Sequence, residues 1–281
     1  MWLADQWKDY EVLDTSAGEK LERWDRYILV RPDPQVIWNT PKNDPCWRKY
    51  DARYDRSSTG GGKWSNLRLP ERWQIHYKEL TFNVKPMNFK HTGVFPEQAA
   101  NWDFIMKTIR GAKRPVNVLN LFAYTGGASL AACAAGADTT HVDSVKQVVT
   151  WARENMELSG LDGIRWIVED ALKFVQREVR RGNRYHGIIL DPPAYGRGAN
   201  GEKWILEDNI CEMLECCARL LEPQGAFLVL NLYSMGLSST LARTAVRQAF
   251  GAPRTEQYGE LCFTDRAGKQ LPLGTYYRFT R

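Results

Sequence analysis

Residues 115–127 limit the possible folds of this chain more than any other stretch. Their sequence, Pro-Val-Asn-Val-Leu-Asn-Leu-Phe-Ala-Tyr-Thr-Gly-Gly, is a short apolar run that stops at a threonine and two glycines. A run of this length, rich in β-branched and aromatic residues and followed by a turn, is typical of a buried parallel strand. The alanine-rich segment 128–137 predicts a helix that packs closely on that strand. Strand, glycine turn and close-packed helix indicate the first unit of a nucleotide-type α/β fold.

Beyond residue 115, apolar runs alternate with helical segments. Strands are expected near residues 116–122, 138–143, 164–168, 185–190 and 225–231. Helices are expected near residues 127–135, 145–159, 170–181, 203–221 and 236–250, and from Pro96 to Arg110. This order predicts an α/β fold with a Rossmann-like, doubly wound, mainly parallel sheet. Segments 257–264 and 273–280 flank a polar turn and predict a C-terminal antiparallel hairpin.

The first 90 residues differ in composition from the rest of the chain. They hold seven of the eleven tryptophans and are rich in turn residues. Segments 27–30, 36–38 and 75–84 are predicted strands, and residues 57–62 are a predicted hairpin tip. We therefore expect a small N-terminal β-rich lobe over residues 1–90, a candidate substrate- or RNA-binding part, followed by a catalytic domain over residues 91–281.

The charge of this lobe is uneven. Residues 1–41 carry five Lys and Arg against eight Asp and Glu, a net charge of −3, whereas residues 42–90 carry eleven against five, a net charge of +6. The basic segment also contains eight aromatic residues, a mixture that suits phosphate neutralisation and base stacking. The alternative is that the aromatic residues form the core of the lobe and the charges its solvated face. Composition leaves both interpretations open.

Several classes of protein are disfavoured by composition. The six cysteines include no Cys-x-x-Cys pair and only four histidines are present, so no metal site is expected. No apolar run approaches the roughly 18 to 20 residues of a membrane helix, and the first residues do not resemble a signal peptide. We therefore expect a cytoplasmic protein with reduced thiols and no membrane partner. Its oligomeric state stays open.

Acidic residues follow the predicted strands, at the sheet edge where ligands bind in such folds. The first strand leads into Tyr124-Thr125-Gly126-Gly127, and the second ends at Asp143-Ser144, where a carboxylate can accept both hydroxyls of a ribose. The third ends at Asp170-Ala171, where Asp170 can cap the next helix or accept from an adenine amino group. Adjacent glycines replace the Gly-x-Gly-x-x-Gly pattern, which makes NAD or FAD a minor alternative.

The fourth strand runs into Asp191-Pro192-Pro193. Two prolines fix the backbone and remove two N–H donors where the strand becomes a loop, so the acid before them is held rigidly. A functional role is therefore expected for Asp191. After the fifth strand, Asn231, Tyr233 and Ser234 can line a pocket, or Ser234 can cap the following helix.

Together these motifs resemble the class I S-adenosylmethionine-dependent methyltransferases, and more closely the bacterial enzymes that methylate cytosine C5 or guanine N7 in large-subunit ribosomal RNA. The resemblance covers about residues 90–235. It is carried by Phe95-Pro96-Glu97-Gln98, segment 119–127, Val142-Asp143, Glu169-Asp170 and Asp191-Pro192-Pro193.

The resemblance implies roles for individual residues. Tyr124, Thr125, Gly126 and Gly127 would hold the methionine end of S-adenosylmethionine, Asp143 its ribose and Asp170 its adenine, with Ser144 and Ala171 among the cofactor contacts. Phe95 and Gln98 would close the pocket from the linker side. Asp191, Pro192 and Tyr195 would form the catalytic set, with Asp191 also beside the transferred methyl group.

Two departures from the family pattern bear on the reaction. Transfer to cytosine C5 needs a cysteine nucleophile, but Asn231-Leu232-Tyr233-Ser234 follows the fifth strand. Methylation of exocyclic amines uses an aromatic residue directly after the two prolines, and Tyr195 lies one position later. Direct attack by a ring nitrogen is the third possibility.

The sequence thus predicts a methyltransferase that modifies a base in RNA, most simply ribosomal RNA. One alternative is a methyltransferase for a small molecule or a protein, with the N-terminal lobe as a lid. Another is an RNA-binding protein that retains the fold without the activity.

Overall fold

The computed structural model describes residues 2–57, 61–198, 201–233 and 237–281, with only the backbone of Trp2. Two compact units make up the chain. The sheet unit contains Met1–Trp2, Ala100–Leu261 and Gly274–Arg281, and the lobe unit contains Leu3–Ala99 and Cys262–Leu273.

The strands, in chain order, are β1 (Trp2–Leu3), β2 (Tyr10–Ser16), β3 (Glu19–Trp24), β4 (Tyr27–Pro32), β5 (Ala52–Arg56), β6 (Gly62–Ser65), β7 (Trp73–Tyr77), β8 (Leu80–Val84), β9 (Asn117–Leu121), β10 (Asp138–Asp143), β11 (Arg165–Val168), β12 (Gly187–Leu190), β13 (Tyr195–Arg197), β14 (Lys203–Ile205), β15 (Phe227–Leu232), β16 (Thr255–Thr264) and β17 (Gln270–Thr280). The helices are α1 (Ala99–Arg110), α2 (Gly127–Ala134), α3 (Lys146–Leu158), α4 (Ala171–Arg181), α5 (Leu206–Leu220) and α6 (Ser239–Phe250), with short 3₁₀ turns at Pro45–Trp47 and Pro96–Gln98.

The central sheet has the order β1-β16-β17-β15-β12-β9-β10-β11. Strands β15, β12, β9, β10 and β11 pair in parallel, and β17 pairs antiparallel with β15. The chain first moves from β9 to β10 and β11 on one side and then returns to β12 and β15 on the other. This arrangement confirms the predicted doubly wound, mainly parallel sheet with a C-terminal antiparallel addition. Because the strand order reverses at β9, the fold predicts a ligand site at the carboxyl ends of the central strands.

Burial explains why these segments form strands and helices. β12 and β15 are buried along their whole length, as expected for strands covered on both faces. α4 turns Phe174 and Val175 into the core, begins at an Asp170 cap and ends at Gly182 with a φ of 71°. The helix is therefore defined by an apolar stripe and by a signal at each end.

Three local predictions need correction. The helix predicted for 203–221 begins at Leu206, because Lys203–Ile205 pairs antiparallel with Tyr195–Arg197 instead. The strand predicted for 36–38 is wrong, because that segment pairs with no strand among the described residues, and the carbonyls of Val36 and Trp38 accept from the turn at residues 17 and 18. Segment 75–84 is split into β7 and β8 by a tight turn in which Lys78 has a φ of 52°.

Other predictions partly overlap with undescribed residues. β5 and β6 pair as the predicted hairpin, although Ser58–Gly60 at its tip lies outside the described residues. Helix α6 begins at Ser239 rather than at Gly236, and its cap is Ser238, which accepts from the N–H of Leu241. Ser234 lies outside the described residues. The described part of the chain includes no helix that is long and apolar enough to cross a membrane.

The aromatic residues of the basic segment 42–90 mostly form the core of the lobe unit. Five of the eight are buried: Trp47, Tyr54, Trp73, Tyr77 and Phe82. Several basic side chains of the segment are paired within the lobe; Lys42 and Arg53, for example, both contact Glu19. Burial confirms the core interpretation for these five rings, which are therefore unavailable for stacking on bases.

Residues 262–273 belong to the lobe unit because polar contacts tie the turn between β16 and β17 to β2. The Thr15 hydroxyl donates to Asp265 at 2.7 Å, and the Lys269 ammonium donates to Asp14 at 2.7 Å. Residues 91–99 also group with the lobe.

A buried charged cluster lies between the strands of the lobe. The Glu22 carboxylate is 0% exposed; Arg31 donates to it through Nε and Nη2 at 2.6 and 2.7 Å, and the Tyr10 hydroxyl donates at 2.6 Å. Burial alone would raise the pKa of Glu22, but the charges of Arg31 and Lys20 outweigh it and lower the pKa to about 2. The carboxylate therefore stays ionised in the folded lobe.

Replacing Glu22 should destabilise the lobe strongly. Glu22→Gln leaves the Arg31 charge buried without its counterion, which costs about 3–5 kcal/mol of unfolding free energy. Since the folded-state pKa lies below the ordinary 4.5, the contribution of Glu22 is full above pH 4.5 and is lost as the pH falls towards 2. The measurement is denaturant unfolding of both proteins at pH 7 and over that acidic range.

The matched control is Glu11→Gln. Glu11 also pairs with two arginines, Arg23 and Arg266, but its side chain is 33% exposed. Its replacement should cost at most about 1 kcal/mol. Equal losses for the two variants would contradict the role assigned to burial.

Candidate active site

The loop after β9 has an unusual backbone. Phe122, Tyr124 and Gly126 have φ angles of 56°, 50° and 94°. Positive φ is costly for residues with a β-carbon and persists only where surrounding contacts enforce it. Here the Tyr124 N–H donates to Asp143 Oδ2 at 2.9 Å, and the Asn155 side-chain amide donates to the carbonyl of Thr125 at 3.0 Å. The loop is therefore held by the ends of two neighbouring elements, β10 and α3.

The two glycines of this loop lie where side chains would collide. A Cβ on Gly126 would lie 2.9 Å from Leu130 Cδ1 and 3.1 Å from Ala152 Cβ, and one on Gly127 would overlap the ring of Trp102. Helix α2 starts at Gly127, and no side chain caps it. The glycines therefore allow close packing and leave backbone N–H groups at the helix start for another acceptor.

Asp143 lies at the carboxyl end of β10. Its Oδ2 accepts from the Tyr124 N–H, and its Oδ1 accepts from the Val145 N–H at 3.0 Å. Burial raises the pKa of Asp143 above its ordinary value, although hydrogen bonds from the Val145, Tyr124 and Ser144 amides partly oppose the rise. The carboxylate is thus fixed in position, and its remaining lone pairs can accept from hydroxyl groups.

Asp170 caps α4, since its Oδ1 accepts from the Lys173 N–H at 2.9 Å. This hydrogen bond confirms the prediction that Asp170 caps the next helix. It uses one of the two carboxylate oxygens of Asp170. Ala171, the first residue of α4, is 3% exposed. The neighbouring Glu169 is occupied by Arg177, whose Nη2 donates to it at 2.6 Å.

Two exposed apolar residues at the same edge had not been singled out from the sequence. Val145 is 44% exposed and Val168 is 48% exposed, beside Asp143 and Asp170 respectively. Parallel pairing aligns Asp143 with Val168, which brings the ends of β10 and β11 together. In the sequence, each of these valines lies two positions from a strand-end acid, and this spacing could have identified them as candidate site residues.

Asp191 follows β12 and is oriented from the neighbouring strand. The Asn231 side-chain amide donates to Asp191 Oδ1 at 3.0 Å. Asn231 is 1% exposed, and its own Oδ1 has no hydrogen-bond partner among the described residues. Gly274 on β17 leaves room for this amide, because a Cβ there would lie 3.3 Å from Asn231 Oδ1. Asn231 thus fixes one carboxylate oxygen.

The prolines and Tyr195 connect this acid to the β13–β14 hairpin. Pro192 is buried, and Pro193 is exposed. The Trp204 indole donates to the carbonyl of Pro193 at 2.7 Å, and Tyr195 is 51% exposed. The structure therefore brings Asp191, Pro192 and Asn231 together and directs Tyr195 to the surface.

Phe95 and Gln98 belong to the lobe unit, so their predicted part in closing a cofactor pocket stays a prediction. Phe95 contacts the His91 ring with centroids 5.2 Å apart, and Gln98 is 9% exposed.

The cysteines of the sheet unit do not lie at the parallel strand ends. Cys133 lies in α2, and Cys211, Cys216 and Cys217 lie in α5. Burial raises the pKa of Cys133, Cys216 and Cys217, which keeps them as thiols. Over the described ranges, no group of three or more His, Cys, Asp or Glu residues is arranged to hold a metal ion.

Comparison with known proteins identifies the family. The sequence profile described as "S-adenosylmethionine-dependent methyltransferase" matches residues 47–261. Because this match covers more than half of the chain, the chain belongs to the S-adenosylmethionine-dependent methyltransferases, as its motifs indicated.

Individual relatives agree with this membership. The crystal structure of the SAM-dependent methyltransferase from Agrobacterium tumefaciens is similar, with 38% identity, a TM-score of 0.93, and coverage of 99% of this chain and 92% of that one. Ribosomal RNA large subunit methyltransferase K/L of Shewanella frigidimarina (strain NCIMB 400) is 31% identical over 154 residues, 53% of this chain and 21% of that protein. Ribosomal RNA large subunit methyltransferase I of Aeromonas salmonicida (strain A449) is 28% identical over 203 residues, 68% of this chain and 47% of that protein. The chain spans about a fifth and about half of the lengths of these two relatives.

The donor and acceptor groups at the strand ends fit S-adenosylmethionine. A fixed carboxylate at Asp143 suits ribose hydroxyls, and uncapped amides at the start of α2 suit a carboxylate. Exposed Val145 and Val168 offer apolar contact to a purine. When bound, the cofactor supplies a methyl group on a positively charged sulfur.

Adding one methyl group at Gly127 should disturb this loop through Trp102. Gly127→Ala places its Cβ against the indole ring, and such overpacking costs about 1–3 kcal/mol of unfolding free energy. Trp102→Leu should be destabilising on its own, but the double variant should recover part of the Gly127→Ala loss. Thermal unfolding of the four proteins in a double-mutant cycle measures the coupling. Strict additivity would contradict the proposed collision.

Proposed function

We propose that this methyltransferase modifies a base in ribosomal RNA in the cytoplasm. The proposal is carried by one observation: this chain is similar in sequence to two ribosomal RNA large subunit methyltransferases. The oriented acid at Asp191 supports it, because a carboxylate is a natural acceptor for the N–H groups of a base.

The cofactor site in this proposal lies at the carboxyl ends of β9, β10 and β11. The segment Tyr124–Gly127 would bind the methionine end, Asp143 and Ser144 the ribose, and Asp170 and Ala171 the adenine. The support is that Asp143 is held by amides with lone pairs to spare, while Asp170 keeps one oxygen outside its capping bond. Val145 and Val168 would flank the adenine, and Phe95 and Gln98 would close the site.

Catalysis in this proposal depends on alignment. The target base would lie over Asp191 and Pro192, in line with the methyl group, with Asn231 holding the carboxylate. Such positioning can supply a large part of a rate enhancement, and small displacements of the reacting groups are costly. No metal is required.

The position of the cysteines favours a nitrogen as the methyl acceptor. A cysteine-dependent attack on a pyrimidine ring requires a thiolate beside the base, but the cysteines of the sheet unit lie in helices α2 and α5. A ring nitrogen or an amine needs only alignment and an acceptor such as Asp191. The nucleoside that is modified will decide between them.

One observation favours a second candidate, a methyltransferase for a small molecule or a protein. The aromatic residues that suggested base stacking by the lobe are mostly buried in its own core. The lobe would then serve as a lid, without salt-sensitive RNA binding.

If Asp143 binds the ribose of the cofactor, replacing Asp143 should weaken cofactor binding. Asp143→Asn should weaken binding of S-adenosylhomocysteine roughly 10- to 100-fold, since hydrogen bonds to a charged group contribute about 1.5–3 kcal/mol. Because burial raises the pKa of Asp143, affinity of the unaltered protein should decline on acidification at a higher pH than for an ordinary aspartate with a pKa of 3.8. Calorimetric titration across pH measures both effects.

The control is Asp138→Asn, an exposed aspartate at the other end of the same strand. The Asp138→Asn variant should bind S-adenosylhomocysteine with the affinity of the unaltered protein. Unchanged binding by Asp143→Asn would remove that residue from the site.

Methyl transfer tests the substrate. Purified protein is incubated with radiolabelled S-adenosylmethionine and total RNA from a strain that lacks the gene, followed by nucleoside mass spectrometry. Asp191→Ala should lower kcat at least about 100-fold, because the base loses its fixed partner. Asn231→Leu should lower kcat roughly 2- to 10-fold, because it removes one hydrogen bond to the Asp191 carboxylate. Both variants should still bind S-adenosylhomocysteine.

Two results would contradict the proposal. Full activity of Asp191→Ala would exclude the role of the acid. Absence of label in RNA, with cofactor binding intact, would favour the small-molecule or protein substrate.

A further inference from the structure

The β13–β14 hairpin directly follows Asp191-Pro192-Pro193. Its antiparallel register pairs Tyr195 with Ile205, Gly196 with Trp204, and Arg197 with Lys203. Side chains alternate between the two faces of a strand, and cross-strand partners share a face. Trp204 and Gly196 therefore lie on one face, and the other two pairs lie on the opposite face.

The face with Trp204 is anchored to the sheet unit. Trp204 is 5% exposed, its indole donates to the carbonyl of Pro193, and its ring centroid lies 4.8 Å from that of Phe122. Gly196 lies opposite the tryptophan, with no side chain to compete for the space. These contacts fix which face of the hairpin is turned outward.

The outer face combines an exposed ring with two cations. Tyr195 is 51% exposed, and its hydroxyl accepts from Arg197 Nε at 2.8 Å. Arg197 and Lys203 are both exposed. The nearby acid, Glu202, is neutralised by Lys173, whose ammonium donates to it at 2.6 Å. The outer face thus carries net positive charge beside an accessible aromatic surface.

We propose that this outer face binds the single-stranded RNA that flanks the target base. Tyr195 would stack on a neighbouring base, and Arg197 and Lys203 would contact phosphates. A positively charged surface with an exposed ring is the common design for single-stranded nucleic acid, since every base offers a π-face and every linkage a charge. The proposal rests on RNA as substrate and assigns Tyr195 to a flanking nucleotide.

The test uses filter binding of a labelled single-stranded oligouridylate at increasing salt concentration. The double variant Arg197→Gln with Lys203→Gln should bind more weakly, and its slope of log K against log salt should be shallower by about 1.4, the value for two phosphate contacts on a single strand. The matched control, Lys113→Gln with Arg219→Gln, removes two other exposed cations of the sheet unit and should keep the slope of the unaltered protein.

Stacking is tested separately at Tyr195. Tyr195→Ala should weaken binding roughly 10- to 100-fold, the usual effect of losing one base–aromatic stack. Tyr195→Phe retains the ring and should bind nearly as the unaltered protein does. The comparison separates the ring from the hydroxyl that Arg197 contacts.

The inference is overturned if the hairpin variant matches its control, if Tyr195→Ala matches Tyr195→Phe, or if the unaltered protein shows no salt-dependent binding of the oligouridylate. It is also overturned if the face binds an acidic polypeptide, polyglutamate, in preference to RNA. Transfer of radiolabel into RNA by the unaltered protein is scored independently. Labelled RNA together with an unaffected hairpin variant would contradict this inference alone, whereas unlabelled RNA would contradict the proposed function.

Discussion

The hydrogen bond from the Tyr124 amide to the Asp143 carboxylate is the contact on which the rest of the site depends. It joins the ends of β9 and β10 and holds a loop in which Phe122, Tyr124 and Gly126 have left-handed backbone. Such backbone is stable only where neighbours enforce it. With the loop fixed, α2 starts directly after it at Gly127, and no side chain caps the start of the helix.

Structural and chemical roles coincide in the strand-end acids, because a carboxylate has more lone pairs than its structural hydrogen bonds use. Asp170 caps α4 through one oxygen and keeps the other. Asp191 is oriented in a similar way, since its Oδ1 accepts from the Asn231 side-chain amide. An acid that is anchored in this way presents its remaining oxygen in a defined direction, which is what recognition of a hydroxyl or an N–H group requires.

The features that the sequence predicted correctly are those set by local pattern. Buried runs, turn residues and acids at strand ends identify the five parallel strands and place Asp143, Asp170 and Asp191 at one edge of the sheet. Long-range contacts determined the rest. The start of α5 depends on pairing between Lys203–Ile205 and Tyr195–Arg197. The contact between Asn231 and Asp191 joins residues 40 positions apart, and nothing near either residue in the sequence indicates it.

Aromatic residues interleaved with Lys and Arg have opposite meanings in the two units. In segment 42–90 most of the rings are buried and several cations are paired, so composition there reflects a small lobe that fills its core with large side chains. In the β13–β14 hairpin a single exposed ring lies beside Arg197, and Glu202, the acid next to Lys203 in the sequence, is neutralised by Lys173. Three residues there make a stronger case for contact with RNA than eight aromatic residues in the lobe, because stacking and phosphate contact require exposed groups. Exposure depends on the fold and cannot be read from composition.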